Sequence, residues 1–377
     1  MQNRQANGTR KPLSDLVIGK AKNDSIRRAF WKLEGSLSET EMNIASLRKT
    51  LEIYSLLAIL IVCILSTGDA VAQKAVLSGH PYASDKPFTE AVMFAPGVVS
   101  TFEHEDSPGF SRDGRTVYWE YGNPVLSTIV YSDFKNGKWK KPQIASFSGQ
   151  YPDRDPFETV DGKRLYFCSR RPAPGDANRE VRKDWDVWFV EKTASGAWGE
   201  PHRLPEPVNT EHNELYPTLT ASGRLYVGSD RTNDWELYRT DATADGFGEL
   251  TNLGENINSK AWDFNPSISP DERFLLFSSQ RLNVGPGSVN IYVSYNRDGA
   301  WTKAQPLNEK VNKPGFQYHP TLSPDGKYLF FCGGRGLDAK ESTQPMSYQQ
   351  MLSGFHNYNN RAGNIYQIEL LAAGIEP

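Results

Sequence analysis

The 377-residue chain carries a formal charge of −3, with 38% apolar residues, 12% aromatics, 31 glycines and 24 prolines. Near-neutral charge argues against a nucleic-acid binder, which would need a basic face, and three cysteines exclude a disulfide framework. The composition is that of a globular β protein of one large domain or two ordinary ones.

The N-terminus differs from the rest. Ser55 to Ser66, "SLLAILIVCILS", is an apolar run too short to span a bilayer comfortably but of signal-peptide length. Arg48 and Lys49 precede it, and Ala70-Val71-Ala72 supplies an A-x-A cleavage site before Gln73. Met42 is the natural start of this signal, so residues 1–41 are expected to be translated upstream sequence or a cytoplasmic extension of a signal anchor. Residues 42–72 read as the signal peptide and 73–90 as a linker. Cys63 lies behind Val62 inside the apolar run, where a lipobox would place glycine or alanine. Residues 1–72 hold ten Lys/Arg and seven Asp/Glu, leaving −6 on the remainder. An acidic, cysteine-poor, exported chain points to a periplasmic or secreted protein.

From residue 91 the chain repeats itself, which dictates architecture before any local reading. The copies are "SPGFSRDGRTVYWE" at 107, "DPFETVDGKRLYFCSRR" at 155, "YPTLTASGRLYVGSDR" at 216, "NPSISPDERFLLFSSQR" at 265 and "HPTLSPDGKYLFFCGGR" at 319. In each, the proline (Pro108, Pro156, Pro217, Pro266, Pro320) precedes by five residues a turn residue (Asp113, Asp161, Ser222, Asp271, Asp325) joining two strands. Third strands follow at "STIVY", "DVWFV", "ELYRT", "NIYVS" and "NIYQI". Turns with an aromatic come next (Trp139, Trp198, Trp301), then a short fourth strand ending Val-Asn or Ile-Asn. Four strands per roughly 50 residues predict a β-propeller. The fifth copy stops after its third strand. "AVMFAPGVVST" (91–101) is expected to complete it and close the ring. The prediction is an all-β, five-bladed propeller of four-stranded blades over 91–370, with a tail at 371–377. Six blades is the alternative, because the gap at blade 2 is long.

The repeat Pro-x-Φ-Ser-Pro-Asp-Gly, closing on Ser-x-Arg and followed by Asp-Ile-Tyr, resembles the WD40-like (PD40) repeat of the TolB-like β-propeller family. The resemblance covers residues 91–370 and implies an exported propeller, most often a binding scaffold. The chain shows neither the extra α/β domain that TolB carries before its propeller nor a Gly-x-Ser-x-Gly elbow of the propeller-bearing serine peptidases.

Topology places the loops between strands two and three, and the crossings between blades, on one face. That face collects the insertions 171–185, 282–289 and 336–363, the last with a short helix expected from Pro345 and read as a lid. Three residues before each repeat proline stand Glu105, Asp153, Glu214, Asp263 and Gln317. Arg171, Arg231, Arg281 and Arg335 close strand two in blades 2 to 5, and Asn123 holds that place in blade 1. The acids either ring the channel mouth as a ligand clamp or cation site, or pair with these arginines. Trp185, Trp262 and Tyr318, with Tyr151 and Phe316, are candidate aromatic ligand surface. Glu158 stands where other blades carry Phe110, Leu219, Ile268 and Leu322, so it is shifted out of register, structurally paired, or a buried acid/base. His104, His212 and His319 lie at blade starts without a shared offset, and Cys168 and Cys332 are expected as buried free thiols.

No catalytic residue, metal ligand or cofactor is assigned, a channel-mouth cation being the one such option. The leading reading is a non-enzymatic scaffold that binds a peptide, an envelope protein or a saccharide on the lidded face. It touches the membrane only through its signal peptide or a retained anchor. The alternative is a carbohydrate-active enzyme, glycosidase or lyase-like, using carboxylates at the central channel.

Overall fold

The computed structural model describes residues 80–84, 87–122, 126–175, 180–244, 246–281, 288–334, 345, 347–355 and 363–376. The signal peptide, Asn123, Arg335 and most of 336–363 lie outside these residues.

Each repeat folds into one antiparallel four-stranded sheet, and the five sheets form a ring. Blade 1 runs Glu105–Phe110, Thr116–Tyr121, Thr128–Lys135 and Gln143–Ile144; blade 2 runs Asp153–Glu158, Arg164–Ser169, Asp186–Glu191 and His202–Arg203. Blade 3 comprises Glu214–Leu219, Leu225–Ser229, Glu236–Thr240 and Thr251–Asn252, and blade 4 Asp263–Ile268, Phe274–Ser279, Asn290–Arg297 and Gln305–Pro306. Blade 5 takes Gln317–Leu322, Tyr328–Gly333 and Asn364–Glu369 from the end of the chain. Its fourth strand, Val92–Met93, comes from the start, pairing Val92 with Gln367 and Met93 with Tyr366. The ring therefore has five blades, and the N-terminal strand removes the open edge that blade 5 would expose.

The fourth strands differ from expectation. They are two residues long and lie before the Val-Asn pairs, which are turns. In these turns Asn209, Asn258 and Asn312 each accept a backbone N–H of the third strand (Val187, Leu237, Ile291; 2.7–2.8 Å) and donate to the same residue's carbonyl at 2.8–3.0 Å. The amide side chain imitates one more ladder pair, so the strand can stop early with the buried backbone satisfied. Ser100 does the same for Ile365 at the ring closure. The apolar partners Val99, Val208, Ile257 and Val311 are buried between blades.

Side chains on both faces of each sheet pack against the next blade. Trp301 of blade 4 lies against Tyr226 of blade 3, and Trp198 of blade 2 donates its indole N–H to Tyr118 of blade 1 at 3.1 Å. The segments read as linker and tail also pack: Tyr82 fills a gap among Phe110, Tyr328 and Phe330, and Ala373 and Ile375 are buried with Val311 and Leu370. Helix α1, Tyr348–Phe355, begins just after Ser347 and not at Pro345. Ser347 Oγ accepts the Gln350 N–H at 3.2 Å and Gln350 Oε1 the Ser347 N–H at 2.8 Å, a reciprocal cap.

One backbone feature recurs in all five inner strands. The residue before the repeat proline has positive φ (Ser107 50°, Asp155 57°, Tyr216 61°, Asn265 51°, His319 52°), and the strand pairing is bulged there. Positive φ costs energy in a non-glycine residue, and a bulge re-aims side chains. Repetition in every blade makes this bulge architectural, and its effect is to gather inner-strand side chains around the axis.

Candidate functional site

The inner-strand acids lie inside the ring wall. Glu105, Asp153, Glu214, Asp263 and Gln317 all have zero exposure. Asp153 meets Arg171 at 2.8 Å, Glu214 meets Arg231 at 3.0 Å and Asp263 meets Arg281 at 2.6 Å. Each arginine also donates to a carbonyl of the preceding crossing, at Phe147, Val208 or Ile257. The crossings in turn donate to the acids: Thr210 N–H to Glu214 at 2.8 Å, Ser259 N–H to Asp263 at 2.6 Å and Ser148 Oγ to Asp153 at 2.7 Å. The arginine pairing foreseen for these acids is thus present in blades 2, 3 and 4, and it pins each crossing to the next inner strand. Gln317 donates to Phe316 O at 2.8 Å.

Blade 1 has no arginine at this position in its sequence. Glu105 is bonded by the N–H of Thr101 at 3.0 Å and by its hydroxyl, but burial still pushes its carboxyl up to about 7. An unfolded Glu titrates near 4.3, so the folded chain holds this proton more tightly. Its stability contribution is complete below about pH 4 and is lost as pH rises through about 7. Glu105→Gln, which copies Gln317 of blade 5, should match wild type near pH 4 and exceed it by about 3–4 kcal/mol at pH 8 in urea unfolding. Stability curves that stay parallel across that window would refute the assignment.

The residues around the axis are those that differ between blades. Just inside each inner strand come Asp106, Arg154, Leu215, Phe264 and Tyr318, followed by the five positive-φ residues. His319 Nδ1 lies 2.9 Å from Asp106 Oδ1 and its Nε2 3.4 Å from Asp155 Oδ1. Ser107 donates its hydroxyl to Asp155 at 2.7 Å, and Asn265 Nδ2 lies 3.2 Å from His319 Nδ1. Arg154 spans three acids: Glu120 at 3.1 Å, Asp155 at 3.7 Å and Asp106 at 3.9 Å. Blades 1, 2, 4 and 5 are thereby joined across the ring.

Burial works against the charge on Asp106, but His319, through its charge and hydrogen bond, then His104 and Arg154, outweigh it and hold this carboxyl well below the usual range. Burial also opposes a charged His319, yet Asp106 and Asp155 raise it above the ordinary histidine value. Glu120 is pushed up by burial, only partly offset by Arg154. Arg154 and His319 thus face Asp106 and Asp155 at ion-pair distance, and burial favours the protonated form of Glu120. Ser107, His319 and Asp106 do not form a nucleophilic triad. Ser107 Oγ is 3.0 Å from both ring nitrogens, so it lies beside neither lone pair, and its proton goes to Asp155.

Above this cluster, on the insertion face, a funnel of about 520 Å³ opens, a size common for small-molecule sites. Its floor is Arg154, His104 and Tyr216, and its walls are largely aromatic: Trp185, Trp235, Phe264 and Tyr318, with Trp262 and Phe316 about half exposed at the rim. Trp185 stacks on the guanidinium of Arg154 at 5.3 Å. Its backbone N–H donates to Asn213 Oδ1 at 3.1 Å and its carbonyl accepts from Glu214 N–H at 2.9 Å, so the indole is fixed to blade 3.

Of the aromatic candidates, Trp185, Trp262, Tyr318 and Phe316 line this funnel. The acids and the arginines Arg171, Arg231 and Arg281 are built into the wall behind it. Trp235, Arg154 and Tyr216 escaped the sequence reading. Trp235 had a signal, the Asp-Trp pair before the third strand in both "KDWDVWF" and "NDWELY". Glu158 keeps the register of the other blades and is paired with Lys192 at 3.2 Å and the Arg112 N–H at 3.1 Å. Cys168 and Cys332 are buried and free.

A larger cavity of about 1000 Å³ lies between blades 2 and 3 on the opposite face. Arg164, Lys192 and Arg203 on its wall are paired with Glu191, Glu158 and Asp186, which leaves them little to offer a ligand. We therefore locate the candidate site in the funnel. Among the described residues, no group of three or more His, Cys, Asp or Glu is arranged to hold a metal ion, and no helix is long and apolar enough to cross a membrane.

No family model and no curated protein matches the chain. Solved structures do. They include a putative TolB from Agrobacterium tumefaciens, at 14% identity over 71% of this chain and 90% of that one, with TM-score 0.42. An α-L-arabinofuranosidase from Lactobacillus brevis aligns at 13% identity over 72% and 92%, with TM-score 0.46. A GH62 hydrolase solved with xylotriose aligns at 12% identity over 74% and 97%, with TM-score 0.44. At such values these likenesses carry no argument about activity.

Proposed function

We propose that this propeller is an exported, non-enzymatic binding protein whose funnel holds a neutral saccharide. The observation that carries the reading is the pairing of aromatic walls with an ion-paired polar floor. Sugar rings present flat C–H faces that stack on aromatics and hydroxyls that need donors and acceptors, and small-molecule sites combine these features. At the floor the buried acids already face Arg154, His319 or Ser107, which leaves them little to offer a charged ligand. The buried acids argue against acid–base chemistry: Asp106, Asp155 and Glu120 are each at most 4% exposed and already bonded to His319, Ser107 or Arg154. Glycoside hydrolysis needs two carboxyl groups flanking the bond that breaks.

Tryptophan fluorescence titration against a panel of neutral oligosaccharides tests this. Wild type is expected to bind at least one series, and Trp185→Ala and Trp262→Ala should each weaken it about tenfold or more. Release of reducing sugar by wild type would favour the enzyme reading. Capture of a peptide or envelope protein that survives both substitutions, with no saccharide bound, would overturn the proposal.

A further inference from the structure

We infer, resting on the saccharide reading above, that the funnel is a blind end that accepts only the terminus of a glycan chain. The five positive-φ residues stand at one level of the channel. Ser107 touches both Asp155 and His319, Asn265 reaches His319, and the rings of Tyr216 and His319 meet edge to face at 5.3 Å. All five blades therefore contribute to one closed layer, in which Ser107, Asp155, Asn265 and His319 are at most 7% exposed. At the next residues along the strands the backbones of blades 1 and 2 press together: a Cβ on Gly109 would lie 2.2 Å from the Pro156 carbonyl oxygen. A chain entering past Trp262 and Phe316 thus meets Arg154 and the plug and cannot thread the ring.

The rim supports the same geometry. The half-exposed Trp262 and Phe316 come from the starts of neighbouring blades 4 and 5, so stacking surface continues outward on one side of the mouth. A terminal unit would occupy the floor and its neighbours would lean over these two rings. A chain that ran on through the ring would need the axial channel open at both ends, and the layer of bulge residues closes one.

Stoichiometry against chain length tests this. Calorimetry would use size-fractionated linear oligosaccharides of cellulose, xylan, mannan and amylose types, with cyclic amylose oligomers as a chain without ends. End recognition predicts one protein per chain at every length, affinity that stops rising after the first few units, and no binding of the cyclic form in a series whose linear form binds. Sites per chain that grow with length, or a cyclic form that binds like the linear one, would overturn this inference and leave the saccharide reading standing. Failure of every series to bind would remove both.

Discussion

Replacing Arg154 by methionine is expected to lower the thermal midpoint by on the order of 10 °C and to abolish ligand binding in the funnel. Arg154 is the cation that three buried acids share, with Glu120 at 3.1 Å and Asp155 and Asp106 within 4 Å. Removing it leaves Asp106, Asp155 and Glu120 without their shared cation, and an uncompensated buried charge costs about 3–5 kcal/mol. It also takes away the guanidinium under Trp185. Arg154→Lys should be intermediate, because one ammonium keeps the charge but cannot span three acids or stack as a plane. Glu120→Gln should be mild in comparison, since burial already keeps that carboxyl protonated. Calorimetric unfolding of the three variants checks the order. An Arg154→Met midpoint equal to wild type would show that the floor is not held by this residue.

The second large effect is expected at a wall pair. Arg171→Met should cost about 3 kcal/mol or more at pH 8, because Asp153 is fully buried and loses its cation at 2.8 Å. Burial already raises the Asp153 carboxyl, and without Arg171 it rises further. Protonation then relieves the variant, so its deficit relative to wild type should shrink as pH falls towards 5. Arg171→Met with Asp153→Asn should recover much of the loss at pH 8. Urea unfolding at the two pH values reads this directly. A deficit that does not change with pH would mean that lost packing on Phe167 and Trp188, where the guanidinium lies 4.9 and 5.2 Å away, outweighs the charge.

The blades were legible because each repeats the same turn chemistry. Ser111, Thr159 and Ser323 donate to Asp113, Asp161 and Asp325 two residues on, at 2.6–2.7 Å, and those acids mark the hairpins. The fourth strands were misplaced because Val-Asn resembles a strand end, whereas Asn209 and its counterparts replace a strand with a side chain. The face was legible from topology, since the ends of the second strands and the blade crossings lie there. The site residues were harder to see. The acids that recur at one offset attract attention, yet recurrence marks the wall that every blade needs. The offsets that face the funnel are those where the five blades disagree, as Arg154, Leu215, Phe264 and Tyr318 do. Their orientation depends on a bulge with positive φ before the repeat proline, a backbone that Asp155, Asn265 and His319 tolerate better than most residue types but that Ser107 and Tyr216 do not announce.

The most direct test of the funnel as a saccharide site is the indole N–H spectrum of the protein during titration with a bound oligosaccharide. Single Trp→Phe variants would assign the nine tryptophans. Trp185, Trp235 and Trp262 are expected to shift together while Trp139, Trp198 and Trp301, which pack between blades, stay in place. Shifts confined to Trp198 and its neighbours, with Trp185 and Trp262 unmoved, would contradict it.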